Sequence, residues 1–214
     1  HVAPMPIAML PDFTLEGEDV ILRPLVSADA EASAKAAALS RETFQWTWVP
    51  DGIGETRAML DKALQQRREG TRYPFVTLYR GSVVGWTSYF RIEFWEWPEG
   101  NPQSGRTTPD AVEIGGTWLS QTAQRTSCNT EAKLLMLRHA FETLKVHRVH
   151  FETDERNTRS RNAIARLGAK FEGIRRVDRP GRDGNLRDTA RYSIVAAEWP
   201  QVEARLIELS RRKA

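Results

Sequence analysis

Gln124-Arg125-Thr126-Ser127-Cys128-Asn129 stands between an apolar run, Ile114 to Leu119, and a helix-forming stretch that opens with Thr130-Glu131-Ala132-Lys133-Leu134-Leu135. The chemistry such a junction offers is anion binding. The first N–H groups of a helix have no intrahelical partner, and the helix dipole places roughly half a positive charge at that end, so a phosphate docking at the turn is favoured on both counts. As bare features, the bend also reads as an ordinary strand-to-helix turn, and Asn157, ahead of Thr158-Arg159-Ser160, reads as a helix cap.

Other reactive types are sparse. Cys128 is the only cysteine, which excludes an intrachain disulfide and fits a reducing, cytoplasmic compartment. A nearby helix terminus could lower its pKa, although a passive small residue is the simpler account. His139, His147 and His150 follow no zinc spacing and have no cysteine beside them, so no metal is expected. Trp46, Trp48, Trp95 and Trp97 fall in two loop-like segments, where aromatics either line pockets or fill the core beneath.

The elements that must hold these residues follow from period and punctuation. A strand is expected from about Asp19 to Pro24. An alanine-rich helix follows, capped near Ser27-Ala28-Asp29 and running to Leu39, with little bulk and so able to lie close to a flat surface. Thr43 to Pro50 reads as a loop. Glu55 to Arg68 reads as a second helix, with Met59, Leu60, Ala63 and Leu64 on one face and Gly70 as its stop. From Tyr73 the period shortens to that of a hairpin, Phe75 to Tyr79 and Val83 to Phe90. Phe94 to Asp110 is an irregular insert before the strand Ala111 to Leu119. Asn129 to Leu144 carries a wide apolar face suited to covering a sheet. A strand from Arg148 to Thr153, a helix from Ser160 to Leu167 closed by Gly168, a second hairpin and a last helix after Pro200 complete the chain.

The order βααβββαβαββα implies an α/β (α+β) domain with a mixed sheet and helices on its faces. With 214 residues and no linker or repeat, residues 14–214 read as one domain behind a lead-in of residues 1–13. The balance of 31 basic against 28 acidic side chains leaves a formal charge of only +3, which does not suggest a nucleic-acid binder. No apolar run approaches the ~18 residues of a membrane span.

The element order, together with Val20-Ile21-Leu22-Arg23-Pro24-Leu25 and Asp29, Ile114 to Leu119, Gln124 to Lys133, Asn157 to Ser160, Arg166-Leu167-Gly168-Ala169, Arg187 to Ser193 and Glu198-Trp199-Pro200, resembles the GCN5-related N-acetyltransferase (GNAT) superfamily, in its RimJ/RimL-like branch. The resemblance covers the chain from about Leu15. It implies a central sheet splayed into a V between its two middle strands, with acetyl-coenzyme A in the opening. The diphosphate would lie on Gln124, Arg125, Thr126, Ser127, Cys128, Asn129 and Thr130. The pantetheine arm would pair with the strand edge at Thr117, Trp118 and Leu119 and meet Asn157 and Ser160. Ser127 and Asn129 depart from the glycine and small residue of the family pattern, and Ser127 adds a Cβ where a phosphate should approach.

The chemistry implied is direct transfer of an acetyl group to a primary amine, which needs a base for the amine and an acid for the thiolate. The tyrosine that often supplies the acid is absent from Asn162 to Gly168, and Ser160 matches the RimL-like serine. Glu93 aligns with the RimL-like glutamate and is the first choice of base; Glu113 holds the position other acetyltransferases use. The four tryptophans would flank the acceptor, a protein N-terminus or a small amine. RimL-like proteins are often dimers, which extends the same expectation to this chain. A silent coenzyme A-binding module and an RNA binder using Arg175, Arg176, Arg179, Arg182 and Arg187 are the competing readings, the latter weakened by the acids between those arginines.

Overall fold

The computed structural model describes residues 10–39 and 41–211; residues 1–9 of the lead-in lie outside them. At the start of the described chain, β1 (Leu15–Glu16) pairs with β2 (Val20–Pro24). Helices α1 (Ala30–Ala37) and α2 (Gly52–Arg68) follow, then β3 (Arg72–Tyr79), β4 (Ser82–Glu93) and β5 (Ala111–Leu119). The second half runs α3 (Cys128–Arg138), β6 (Arg148–Asp154), α4 (Thr158–Leu167), β7 (Lys170–Pro180), β8 (Leu186–Val195) and α5 (Trp199–Arg211). The expected order is present with the two-residue β1 added. The second hairpin extends further at its turn than period alone suggested.

The eight strands form one sheet in the order β1-β2-β3-β4-β5-β6-β8-β7. Each pairing is antiparallel except β5 with β6, which is parallel. That parallel pair is short. It holds only at Ala111↔Arg148, Val112↔Val149 and Glu113↔His150, whereas β6 pairs with β8 through Asp154↔Thr189. Beyond Glu113 the two middle strands part, and the sheet opens into a V.

The opening begins at a bulge. On β4, Trp86 faces Trp118 and Ser88 faces Gly115, so Gly116 and Thr117 share the place opposite Thr87. An extra residue bends a strand and increases its twist, which carries the end of β5 away from β6. Gly116 takes φ +58, and a Cβ there would lie 2.8 Å from Cε2 of Phe90. Both facts call for glycine.

Each face of the sheet is covered by a separate core. On one, α1 and α2 bury Leu25, Ala36, Ala37, Leu60 and Ala63 against Val76, Trp86 and Trp118. The small side chains of α1 let it lie flat, and Ser33 Oγ accepts the Trp86 indole N–H at 2.8 Å. On the other, α3 and α5 bury Met136, Leu137 and Leu206 against Leu22, Phe75, Tyr89, Val112 and Val149. Truncating a side chain as enclosed as Trp86 or Met136 to alanine costs about 2–5 kcal/mol. The pair Arg23 and Asp29, quoted for the resemblance, forms a two-point ion pair at 2.6 and 2.9 Å that ties β2 to the start of the α1 segment. Among the described residues no helix is long and apolar enough to cross a membrane.

Candidate active site

The V encloses a cavity of about 910 Å³. Its wall contains Gly116, Thr117, Trp118 and Leu119 of β5, with Gln124, Arg125, Thr126 and Asn129 of the following bend and Asn157 and Ser160 at the head of α4. Sequence reasoning placed most of these in one site, and the fold brings them to one cavity.

At the bend, among the described residues, the N–H groups of Arg125, Thr126, Ser127, Asn129 and Thr130 have no main-chain acceptor. The left-handed residue there is Arg125, φ +61, while Ser127 sits in the right-handed helical region at φ −68 and ψ −14. The bend therefore makes no conformational demand for glycine at residues 127 or 129. Ser127 and Cys128 are not on the cavity wall: Ser127 contributes its carbonyl to the Glu131 N–H, and Cys128 is buried in the core, where burial pushes its thiol up to about 12. Thr130 Oγ1 accepts from Arg166 at 2.8 Å, and Arg159 reaches Gln124 Oε1 at 3.2 Å. Arg125, Arg159 and Arg166 thus bring three cations to the wall beside the unfilled donors. This donor set fits a diphosphate, and the edge of β5 left bare by the splay fits the amides of an extended arm. Asn157 Oδ1 caps α4 by accepting the Ser160 N–H at 3.0 Å, which leaves its Nδ2 donors for the cleft.

The two candidate carboxylates lie in different surroundings. Glu113 is on the cavity wall at the last β5–β6 pair, with its side chain 12% exposed. Burial and the neighbouring Glu152 push it up to about 7, although Arg91 sits 3.1 Å away. Gly115 makes room for it, since a Cβ there would meet Glu113 Oε1 at 2.7 Å. Glu93 is not on the wall. Its carboxylate accepts from the Trp95 indole at 3.0 Å and lies 3.6 Å from Arg148. The tryptophans divide the same way. Trp46 and Trp48 line the cavity, the former beneath Arg156 at 4.2 Å. Trp95 and Trp97 pack on the His147 ring, and Trp97 donates to Asp110 at 3.0 Å. Arg182 of the β7–β8 turn donates to the carbonyls of Phe44 and Thr47, closing a bridge over the tryptophan loop.

Two wall residues were not anticipated. Lys133 of α3 is buried and donates to Thr117 Oγ1 at 2.7 Å and Thr87 Oγ1 at 3.1 Å, clamping the bulge from below; burial pulls it down to about 7. Its signal was readable, because it falls on the face of Leu137, Ala140 and Leu144 that should otherwise be apolar. Arg72, at the start of β3, lies over the Phe90 ring at 4.5 Å, and nothing in its local sequence marks it.

A long cavity with unfilled amide donors at one end, a bare strand edge along its side and a buried carboxyl at the fork belongs to the class of transferases that draw on an extended, phosphate-bearing acyl carrier. A model of the acetyltransferase (GNAT) domain matches residues 19–170. The chain therefore belongs to the GNAT family, as an acetyl-coenzyme A-dependent N-acetyltransferase. Among solved structures, an acetyltransferase from T. thermophilus is 34% identical over 94% of this chain and 97% of its own, with a TM-score of 0.75. A GCN5-related N-acetyltransferase from Brucella melitensis is 25% identical over 97% and 89%, with a TM-score of 0.80. Mycobacterium smegmatis RimJ, solved with a coenzyme A disulfide, shares the fold at 23% identity over 97% and 96%, with a TM-score of 0.73. No curated protein matched the sequence.

Proposed function

We propose that this enzyme acetylates a primary amine by direct transfer, with Glu113 as the base and the amine entering past Trp46 and Trp48. The observation that carries the reading is Glu113 itself, a carboxyl on the cavity wall held at about 7. A base works best when its pKa lies near the working pH, because it is then largely ionised and still basic enough to accept the amine proton. Glu93, the RimL-like choice, is engaged with Trp95 and Arg148 and has no place on the wall, so the geometry favours Glu113.

Acetyl-coenzyme A supplies the activated acetyl group as a thioester. Arg125, Arg159, Arg166 and the bare amides of the bend would hold its phosphates. The β5 edge and Asn157 would hold its amide arm, which aims the reacting end at the fork between β5 and β6. Main-chain N–H groups on the β5 edge beyond Glu113, where the pairing with β6 stops, are the donors that would polarise the thioester carbonyl. Ser160, on the wall with its hydroxyl uncommitted among the described residues, is the proton source for the departing thiolate. No residue need act as a nucleophile. RimL, solved as a ribosomal L7/L12 alpha-N-protein acetyltransferase, shares the fold at 16% identity, which makes a peptide N-terminus one acceptor class to try beside small amines.

Release of free thiol from acetyl-coenzyme A, followed across N-terminal peptides and small amines, tests this reading. Amine-dependent release that collapses in Glu113→Gln and survives in Glu93→Gln is the expected result. The reverse pattern would return the role to Glu93.

A further inference from the structure

The charge on the cleft wall is lopsided, with cations well in excess of carboxylates. Nine cationic side chains line the cavity against four carboxylates, Glu42, Glu113, Glu152 and Asp154. Three cations, Arg125, Arg159 and Arg166, stand at the diphosphate bend. Removing them still leaves the remaining wall positive.

The carboxylates are mostly spent. Glu152, with its side chain 3% exposed, is surrounded by Arg179 at 2.8 Å, Arg91 at 3.1 Å, and Arg175 and Arg191 at 3.3 Å. Arg91 also takes Glu113, and Asp154 takes Arg156 at 2.8 Å. Only Glu42 is open to solvent.

Arg72, Arg187 and Lys133 are left over, and Lys133 is already committed to the hydroxyls of Thr87 and Thr117. Arg72 donates to Ser88 Oγ at 2.8 Å and Gln66 Oε1 at 3.4 Å, and its Nη2 would lie 3.4 Å from a Cβ on Gly116, beside the bulge. Arg187 donates to Thr189 Oγ1 at 3.0 Å. Among the described residues neither has a carboxylate within 4.0 Å. Burial pulls Arg72 down to about 10, the cost of a guanidinium held out of water without a counter-charge, while burial and the neighbouring Arg179 lower Arg187 against the more distant pull of Asp154, Asp178 and Glu152. A cation kept in such a place is stabilised when an anion arrives, and guanidinium groups bind carboxylate and phosphate with two parallel hydrogen bonds.

We infer that the acceptor is an amine that itself carries an anionic group, a carboxylate or phosphate near the amino end, held by Arg72 and Arg187. A polycation such as a polyamine or an aminoglycoside meets like charge on this wall and is disfavoured. The inference rests on acetyl transfer being the activity of this cleft, and it narrows which amines qualify.

The test compares pairs of acceptors that differ only in charge. Peptides with an acidic residue at the second and third positions are set against the same peptides with lysine there, and an amino acid is set against its amide, to separate a peptide source from a free small molecule. Spermidine is the polycationic control. The expected kcat/KM ratio is about ten- to a hundred-fold in favour of the anionic member. In Arg187→Gln and Arg72→Gln that ratio falls toward one, with partial recovery in Arg187→Lys. Equal rates within each pair, or a preference for spermidine, would overturn the inference while leaving acetyl transfer intact. A readout free of turnover is the titration of N-acetylated acidic and basic peptides into the enzyme saturated with coenzyme A. Tighter binding of the acidic product that Arg187→Gln abolishes supports the inference even if no tested amine reacts, and equal binding sinks it.

Discussion

Replacing Glu113 by glutamine keeps the shape of the side chain and removes its charge, and the two consequences run in opposite directions. The folded carboxyl titrates at about 7 against an ordinary value of 4.5, because burial and Glu152 outweigh the attraction of Arg91, Arg179 and Arg191. A group whose folded value is the higher of the two binds its proton more tightly in the native state. Its contribution to stability is therefore present at low pH and is lost as pH rises from about 4.5 through about 7. At about 1.4 kcal/mol per pH unit that interval amounts to about 3 kcal/mol. Urea unfolding between pH 5 and pH 9 should show the wild type losing that stability relative to Glu113→Gln, so that above pH 8 the variant is the more stable protein. Its kcat/KM should fall by about 10²–10⁴-fold, and the limb of the wild-type pH profile that rises through about 7 should disappear. Misfolding cannot explain a variant that gains stability while losing activity. Parallel stability curves for the two proteins across pH 5 to 8 would refute the raised pKa, and an unchanged rate would remove Glu113 from the chemistry.

Three further outcomes are expected. Asn157→Ala removes the cap on Ser160 N–H and should cost about 1 kcal/mol in thermal or urea unfolding, with a raised KM for acetyl-coenzyme A and an unaltered KM for the amine. Gly116→Ala forces a Cβ onto a φ of +58 and into the Phe90 ring. The left-handed conformation alone costs about 1–2 kcal/mol, and a turnover loss of ten-fold or more, read by thiol release, is expected because the bulge is where the reacting end would lie. Lys133→Met has the opposite linkage to Glu113→Gln. The folded amine sits at about 7 against 10.5, so the wild type gains stability as pH rises from about 7 to 10.5, and the methionine variant should be flat across that window and more stable at pH 7 when unfolded by urea.

Much of the frame was legible in the chain because it rests on period. The apolar run before Gln124 and the face carrying Leu137, Ala140 and Leu144 announce a strand and its covering helix, and Gly168 announces the end of α4, where it stands at φ +102. The residue-level chemistry was less legible because it depends on register. Glu93 and Glu113 are both glutamates on neighbouring strands. Only the pairing of Glu93 with Ala111, and of Glu113 with His150 at the last rung before the splay, separates one from the other. Trp95 and Trp97 differ from Trp46 and Trp48 through His147 and Asp110, partners far along the chain that no local pattern names. The demand for glycine at residue 127 failed to appear because the positive φ moved to Arg125, a residue type that carries no such signal. The arginines left without a direct ion pair were invisible for a related reason: a sequence shows every arginine but not which of them a carboxylate has already claimed.

Amide hydrogen exchange with and without coenzyme A tests the central claim most directly. Slowed exchange confined to residues 116–119 and 125–130, the strand edge and the bend, is the expected result. Exchange that is unchanged in both segments under saturating coenzyme A, or protection that falls elsewhere in the sheet, would contradict the site described above.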